Sequence, residues 1–159
     1  MVNVCMEIET TRDIARQILR HRSFSFQEFS QRYAVANGFD VRECRTQDLL
    51  NRQNSLQTDN GELHQFWKEA QAEMIGKASS LYAQALDKGI AKETARALLP
   101  EGLTMSKMYM NGTLRSWLHY IDIRCDPATQ KEHREVAEQC RAIIFALFPS
   151  VKEAMNGVQ

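Results

Sequence analysis

Residues 16 to 33, RQILRHRSFSFQEFSQRY, gather Arg16, Arg20, Arg22 and Arg32 around one histidine, His21, with Glu28 as the only acid. Guanidinium groups are permanently charged planar donors that grip phosphate and carboxylate in pairs. Ser23, Ser25, Gln27, Ser30 and Gln31 alternate with the aromatics Phe24, Phe26 and Phe29. Neutral hydrogen-bonding groups beside arginine suit a phosphate-and-sugar pocket. A solvated basic face would look similar, and spacing alone favours that reading slightly. A second set lies in LRSWLHYIDIR, where Arg115 and His119 share a helix face. Arg124 stands at the end of that helix, where its head can turn into a site. Ser30 near His21 invites a nucleophile reading. No G-x-S-x-G elbow surrounds it and no orienting acid is in place, so the hydroxyl reads as a hydrogen-bonding group. His64 and His133 read as surface helix residues. Arg96, in TARALLP, carries no signal by itself.

The chain that must position these groups has 159 residues, 43% hydrophobic and 25% charged, with a formal charge of zero. That is enough for one domain, residues 1–159, with a real core. Zero net charge and no continuous basic stripe argue against a nucleic-acid module, so any anion site must be local. The bias of 13 Arg over 7 Lys favours bound anions. Cys5, Cys44, Cys125 and Cys140 form no CxxC pair and no zinc spacing, so no metal is expected. Scattered thiols point to a reducing, cytoplasmic setting (the host's, for a virus-encoded chain). No apolar run approaches the roughly 20 residues needed to span a bilayer.

Hydrophobic periodicity supplies the elements. VNVCMEIET alternates as a half-buried strand with Val2, Val4, Met6 and Ile8 on one face. TTRDIARQILRHR reads as a helix, with Thr10 and Asp13 at capping-box spacing and Arg12, Arg16 and Arg20 on one side. SFSFQEFSQRY reads as irregular with anchoring aromatics, and VRECRTQDLLNRQNS as polar and loop-like. Glu62 to Lys88 is the longest helix, its stripe made of Leu63, Trp67, Ala70, Met74, Leu81 and Ala85, with Gly89 at its C-terminal end. A short helix stops at Pro100. LTMSKMYMNG is a second strand closed by an Asn111-Gly112 turn. Thr113 caps the next helix. Asp126-Pro127 opens a last helix to Phe148, with Val136, Ala137, Cys140, Ile143, Ile144 and Leu147 inward. The sum is an α+β fold, mainly helical with a small antiparallel sheet.

RHRSFSFQEFS fits the pattern R-H-R, seven residues, then Ser, and so resembles the signature of flavin-dependent thymidylate synthase (ThyX). RTQDLLNRQNS, ARALLPEGLTMSKMYMNGTLRSWLHYIDIR and TQKEHREVA resemble that family's later blocks in order and spacing, from about residue 3 to 148. The resemblance implies a methyltransferase that converts dUMP to dTMP with methylenetetrahydrofolate, FAD as cofactor and NADPH as reductant. It also implies a homotetramer with sites at subunit interfaces. By position it assigns Arg20, His21, Arg22, Gln27, Glu28, Thr113, Leu114, Arg115 and His119 to the flavin. It assigns Gln17, Ile18, Leu19, Arg20, Glu28, Phe29, Ser30, Gln31, Arg32, Arg96 and Arg124 to dUMP. Arg124 matches the arginine that stabilises the ionised uracil ring, and is the catalytic candidate.

Gln27 and Thr113 stand where relatives carry Asn, and both keep hydrogen-bonding ability. Family members usually have a strand and helix before the region where this chain starts. Their loss is expected to leave Val2 to Ile8 with a free edge and an exposed apolar face. The alternative reading is therefore a non-catalytic remnant that only self-associates or binds.

Overall fold

The computed structural model describes residues 1–30, 38–52 and 54–156. Its centre is a three-stranded antiparallel sheet in the order β1-β5-β2, from β1 (Asn3–Thr11), β2 (Ser25–Glu28) and β5 (Met105–Thr113). β1 and β5 pair along their full lengths, from Asn3 opposite Thr113 to Thr11 opposite Met105. β2 takes the other edge of β5, with Phe26 opposite Met110 and Glu28 opposite Met108. A residue period of two then sorts the side chains. Met6, Ile8, Met108 and Met110 are buried on the inner face. On the outer face Lys107 Nζ lies 2.9 Å from Glu7 and 2.8 Å from Glu9, and the Tyr109 hydroxyl donates to Glu7. These cross-strand pairs suit a polar surface and hold the Lys107 ammonium above its usual pKa.

Three helices cover the inner face: α1 (Arg12–Ile18), α4 (Leu114–Arg124) and α5 (Lys131–Leu147). Trp117, Tyr120, Ile14, Ile18, Ile121 and Ile144 fill the space beneath the sheet. The Trp117 indole N–H donates to the Val4 carbonyl at 3.0 Å, which ties α4 to β1. Among the described residues β1 pairs only with β5 and lies at an edge of the sheet. Of its apolar face Val2 is exposed; Val4, Met6 and Ile8, however, are covered by this core. The long helix α2 (Gly61–Asp87) begins on Asn60, whose side chain accepts from Leu63 N–H, and ends before Gly89 at φ +80. A left-handed residue there is what glycine supplies. The helix packs through Tyr82 and Ala85 on α3 (Lys92–Ala95) and a 3₁₀ turn, Arg96–Leu98. The chain closes with α6 (Pro149–Asn156).

Several elements differ from the sequence reading. SFSFQEF contains strand β2, and β3 (Arg45–Gln47) pairs antiparallel with β4 (Ser55–Gln57) as a hairpin. Asp48 shapes its loop by accepting from the Leu50 and Asn51 N–H groups. Asn111-Gly112 is not a turn: both residues lie inside β5. Gly112 is required for closeness, since a Cβ there would sit 2.4 Å from the Phe24 ring. The helix α1 starts one residue later than Thr10 suggests, on Thr11, which donates instead to Asp13 Oδ1. It ends at Ile18, so Arg20 leaves the face of Arg12 and Arg16. Asp126 caps only a turn through Ala128 N–H, and α5 begins at Lys131. Phe29, Ile143 and Leu147 are exposed, as are Trp67, Met74 and Leu81 of the α2 stripe, where Gln71, Ala78 and Tyr82 are buried instead.

Candidate active site

The turn after α1 and the end of α4 meet. Arg124 Nε donates to His21 Nε2 at 2.9 Å, so that nitrogen carries a lone pair and His21 is neutral. His21 sits edge-on to Tyr120 at 5.0 Å and to His133 at 6.2 Å between ring centroids. Burial, helped by the Arg124 and His119 charges, lowers the His21 pKa to about 4. Burial and Arg124 lower that of His133 to about 4 as well. The guanidinium of Arg124 is thus held by a neutral acceptor, and among the described residues no carboxylate pairs with it. His133 is fully buried, which corrects its reading as a surface residue. Its position was legible: it falls on the same helical stripe as Ala137, Cys140 and Ile144.

Gln17 leaves α1 on the same side, with its amide between Gln130 and His133. Leu19 packs on the core and Ile18 is wholly inside it, so Ile18 has only main chain to offer a ligand. Arg20 and Arg22 are exposed in the turn, and Arg115 and His119 are exposed on α4. Among the described residues, none of the three arginines makes an ion pair with a carboxylate. Thr113 caps α4 by accepting from Ser116 N–H at 3.2 Å, while Leu114 is half-buried.

A second cluster lies at the far end of the sheet. Glu28 accepts from Ser106 Oγ at 2.7 Å and from Arg12 at 3.4 Å. Arg12, Arg16, Arg96 and Glu101 line a groove of about 410 Å³. Arg16 pairs with Glu101 at 2.5 Å, and Arg96 Nε donates to the Glu93 carbonyl at 3.2 Å. Gln27 is on the outer face opposite Tyr109, which also carries the exposed Phe29 ring at 6.0 Å. Ser30 is exposed, and Gln31 and Arg32 lie outside the described residues. Ser106 and Gln130 were not singled out in the sequence, Arg12 was read only as part of a helix face and His133 as a surface residue; the fold alone joins the four to the site.

The model of the family described as thymidylate synthase complementing protein matches residues 1–150. A flavin-dependent thymidylate synthase of Synechocystis is 52% identical over 156 residues, covering 98% of this chain and 72% of that one. The chain belongs to the flavin-dependent thymidylate synthase family. A probable flavin-dependent thymidylate synthase of Paramecium bursaria Chlorella virus 1 is 46% identical over 154 residues, covering 96% of this chain and 71% of its own. The crystal structure of a UMP/dUMP methylase, PolB from Streptomyces cacaoi, bound with 5-Br UMP, superposes with a TM-score of 0.86 at 27% identity. It spans 98% of this chain and 74% of that one. The α+β architecture is therefore that of flavin-dependent thymidylate synthases. Among the described residues no helix is long and apolar enough to cross a membrane, and no cluster of His, Cys, Asp and Glu could hold a metal ion.

Proposed function

We propose that this chain is a flavin-dependent thymidylate synthase that methylates dUMP to dTMP reductively, with FAD as cofactor. Methylenetetrahydrofolate is the carbon donor and NADPH the reductant in this reading. The observation that carries it is the 2.9 Å contact between Arg124 and His21. The first is matched by resemblance to the pyrimidine and the second to the flavin, and the fold sets them side by side. The exposed arginines Arg20, Arg22 and Arg115 fit a pyrophosphate, because each offers a fork of donors free of described carboxylates. FAD, when bound, supplies the redox chemistry.

The chain's own residues bind, orient and polarise. Among the described residues Arg124 pairs with no carboxylate, and it stands half-buried beside His21, against which the Tyr120 and His133 rings pack. Placed against uracil it favours the ionised ring, an electrostatic effect that grows as water is excluded. His21, being neutral, steers the Arg124 head without cancelling its charge. Glu28, held between Ser106 and Arg12, accepts from hydroxyl groups and does not face the phosphate as a free charge. By resemblance, Arg96, Phe29 and Ser30 are further contacts of the nucleotide in this reading. Several copies of the chain, as a homotetramer, would complete each site. The remnant reading is not favoured, given 52% identity across 98% of the chain.

The test is direct. Purified protein mixed with FAD is expected to show the flavin absorption bands after desalting. With dUMP, methylenetetrahydrofolate and NADPH it is expected to form dTMP. Protein that takes up FAD and dUMP yet forms no dTMP would overturn the enzymatic reading.

A further inference from the structure

Gln17 has both ends of its amide engaged. Its Nε2 donates to Gln130 Oε1 at 2.8 Å, and its Oε1 faces His133 Nδ1 at 3.3 Å. A carbonyl oxygen only accepts, so His133 carries its proton on Nδ1. The Gln130 amide is fixed in turn, because its Nε2 donates to Glu132 Oε2 at 3.0 Å. Arg45 pairs with the other Glu132 oxygen, and Arg42 approaches it at 3.7 Å. A directed chain of hydrogen bonds therefore runs from α5 to α1 and sets which way Gln17 points. Left to itself, a glutamine side chain would lose up to about 2 kcal/mol of rotamer freedom on being ordered by a ligand.

Histidine is a costly choice at position 133. Its stripe is otherwise Ala137, Cys140 and Ile144, and its Nε2 is buried with no partner among the described residues. An aliphatic side chain would pack there without the desolvation. What an aliphatic residue could not do is donate to Gln17 while laying a ring against His21. We propose that His133 is a positioning residue for nucleotide binding: it locks the Gln17 amide in one orientation and backs the His21–Arg124 pair. It acts through these residues and touches no ligand. The proposal rests on the dUMP reading above. Burial keeps His133 neutral at pH 7, which suits a single, directed donor.

Three variants of the FAD-loaded protein separate this role from mere packing. His133→Leu keeps the volume and loses the donor. His133→Asn places an amide nitrogen near the Nδ1 position, and His133→Gln places one near Nε2. The Leu variant is expected to raise the KM for dUMP by about three- to tenfold, the worth of one hydrogen bond, and to move it more than kcat. The Asn variant is expected to recover most of that loss, and the Gln variant little. A Leu variant with the wild-type KM would overturn the proposal. So would equal impairment of all three in proportion to a fall in Tm. If the Leu variant does not fold, the Asn and Gln variants decide, and equal KM values in the two overturn it. Wild-type protein that binds no dUMP would defeat the reading of the site and this proposal together. Wild-type binding matched by His133→Leu would defeat this proposal alone.

Discussion

Two arginines of the helical layer, Arg16 on α1 and Arg124 on α4, are held in opposite ways. Arg16 is exposed and paired with Glu101, so its charge is cancelled where it stands. Arg124 is half-buried and paired with His21, a neutral acceptor, so its position is fixed while its charge remains. An ion pair spends the field of a cation locally; a neutral lone pair orients the cation and leaves the field for a ligand. The difference explains why a sequence dense in arginine does not reveal which arginine matters. Density measures charge, whereas availability depends on the partner.

The sharpest test of this contrast is Arg124→Lys. An ammonium keeps the charge but not the Nε fork that meets His21. Turnover is expected to fall by about 10²- to 10³-fold, as for loss of one preorganised donor, with little change in thermal unfolding. A variant with near wild-type kcat would show that charge alone suffices.

Lowering the pH attacks the neutral partner. The pKa values of His21 and His133 lie near 4 in the folded chain, below the ordinary 6.5. Between those values the unfolded state binds more protons, so stability falls as pH drops from about 6.5 to 4 and is level above. Protonated His21 also cannot accept from Arg124. Melting curves from pH 7.5 to 4.5 are expected to show Tm declining through this window. In a His133→Asn background the decline is expected to be shallower, since one of the two titrating groups is gone.

Glu28→Ala tests the other cluster. It leaves Arg12 and Ser106 without their shared acceptor in a partly buried place, at a cost of about 1–2 kcal/mol by urea denaturation. Tyr120→Phe removes a buried hydroxyl that has no partner among the described residues. It is expected to change stability by less than about 1 kcal/mol, in either direction, and to leave the ring packing on His21 intact. Smallest of all should be Arg16→Ala, within about 0.5 kcal/mol, because both members of its pair are exposed. A large loss there would erase the distinction between the two arginines.

Much of the fold was readable because it rests on periodic patterns. Met6 and Ile8 alternate, Leu114 to Ile121 repeat by threes and fours, and Thr113 caps α4 as its side chain dictates. The failures share a cause. Asn111-Gly112 looks like a turn locally, but β1 on one side and Phe24 on the other hold it extended. Trp67, Met74 and Leu81 form a clean stripe that this single chain leaves exposed. His133 looks like surface because histidine usually is, although its spacing with Ala137 and Cys140 pointed inward. In the site, the family signature supplied His21 and the later blocks supplied Arg124. Their contact, and the Gln17–Gln130–Glu132 chain, join residues more than a hundred positions apart or bridge separate helices, which no local pattern encodes.

Gly112 has a consequence that reaches beyond its strand. The Phe24 ring fills the space where its side chain would be, and that ring lies 6.5 Å from His21 and 4.9 Å from Trp117. One added methyl group at 112 would wedge the ring outward and drag the turn that carries His21 with it. The aim of the histidine is set in part by an empty place on a neighbouring strand. A change that introduces no charge and meets no nucleotide would thus detune the site from behind, the way a shim under one leg tilts an instrument.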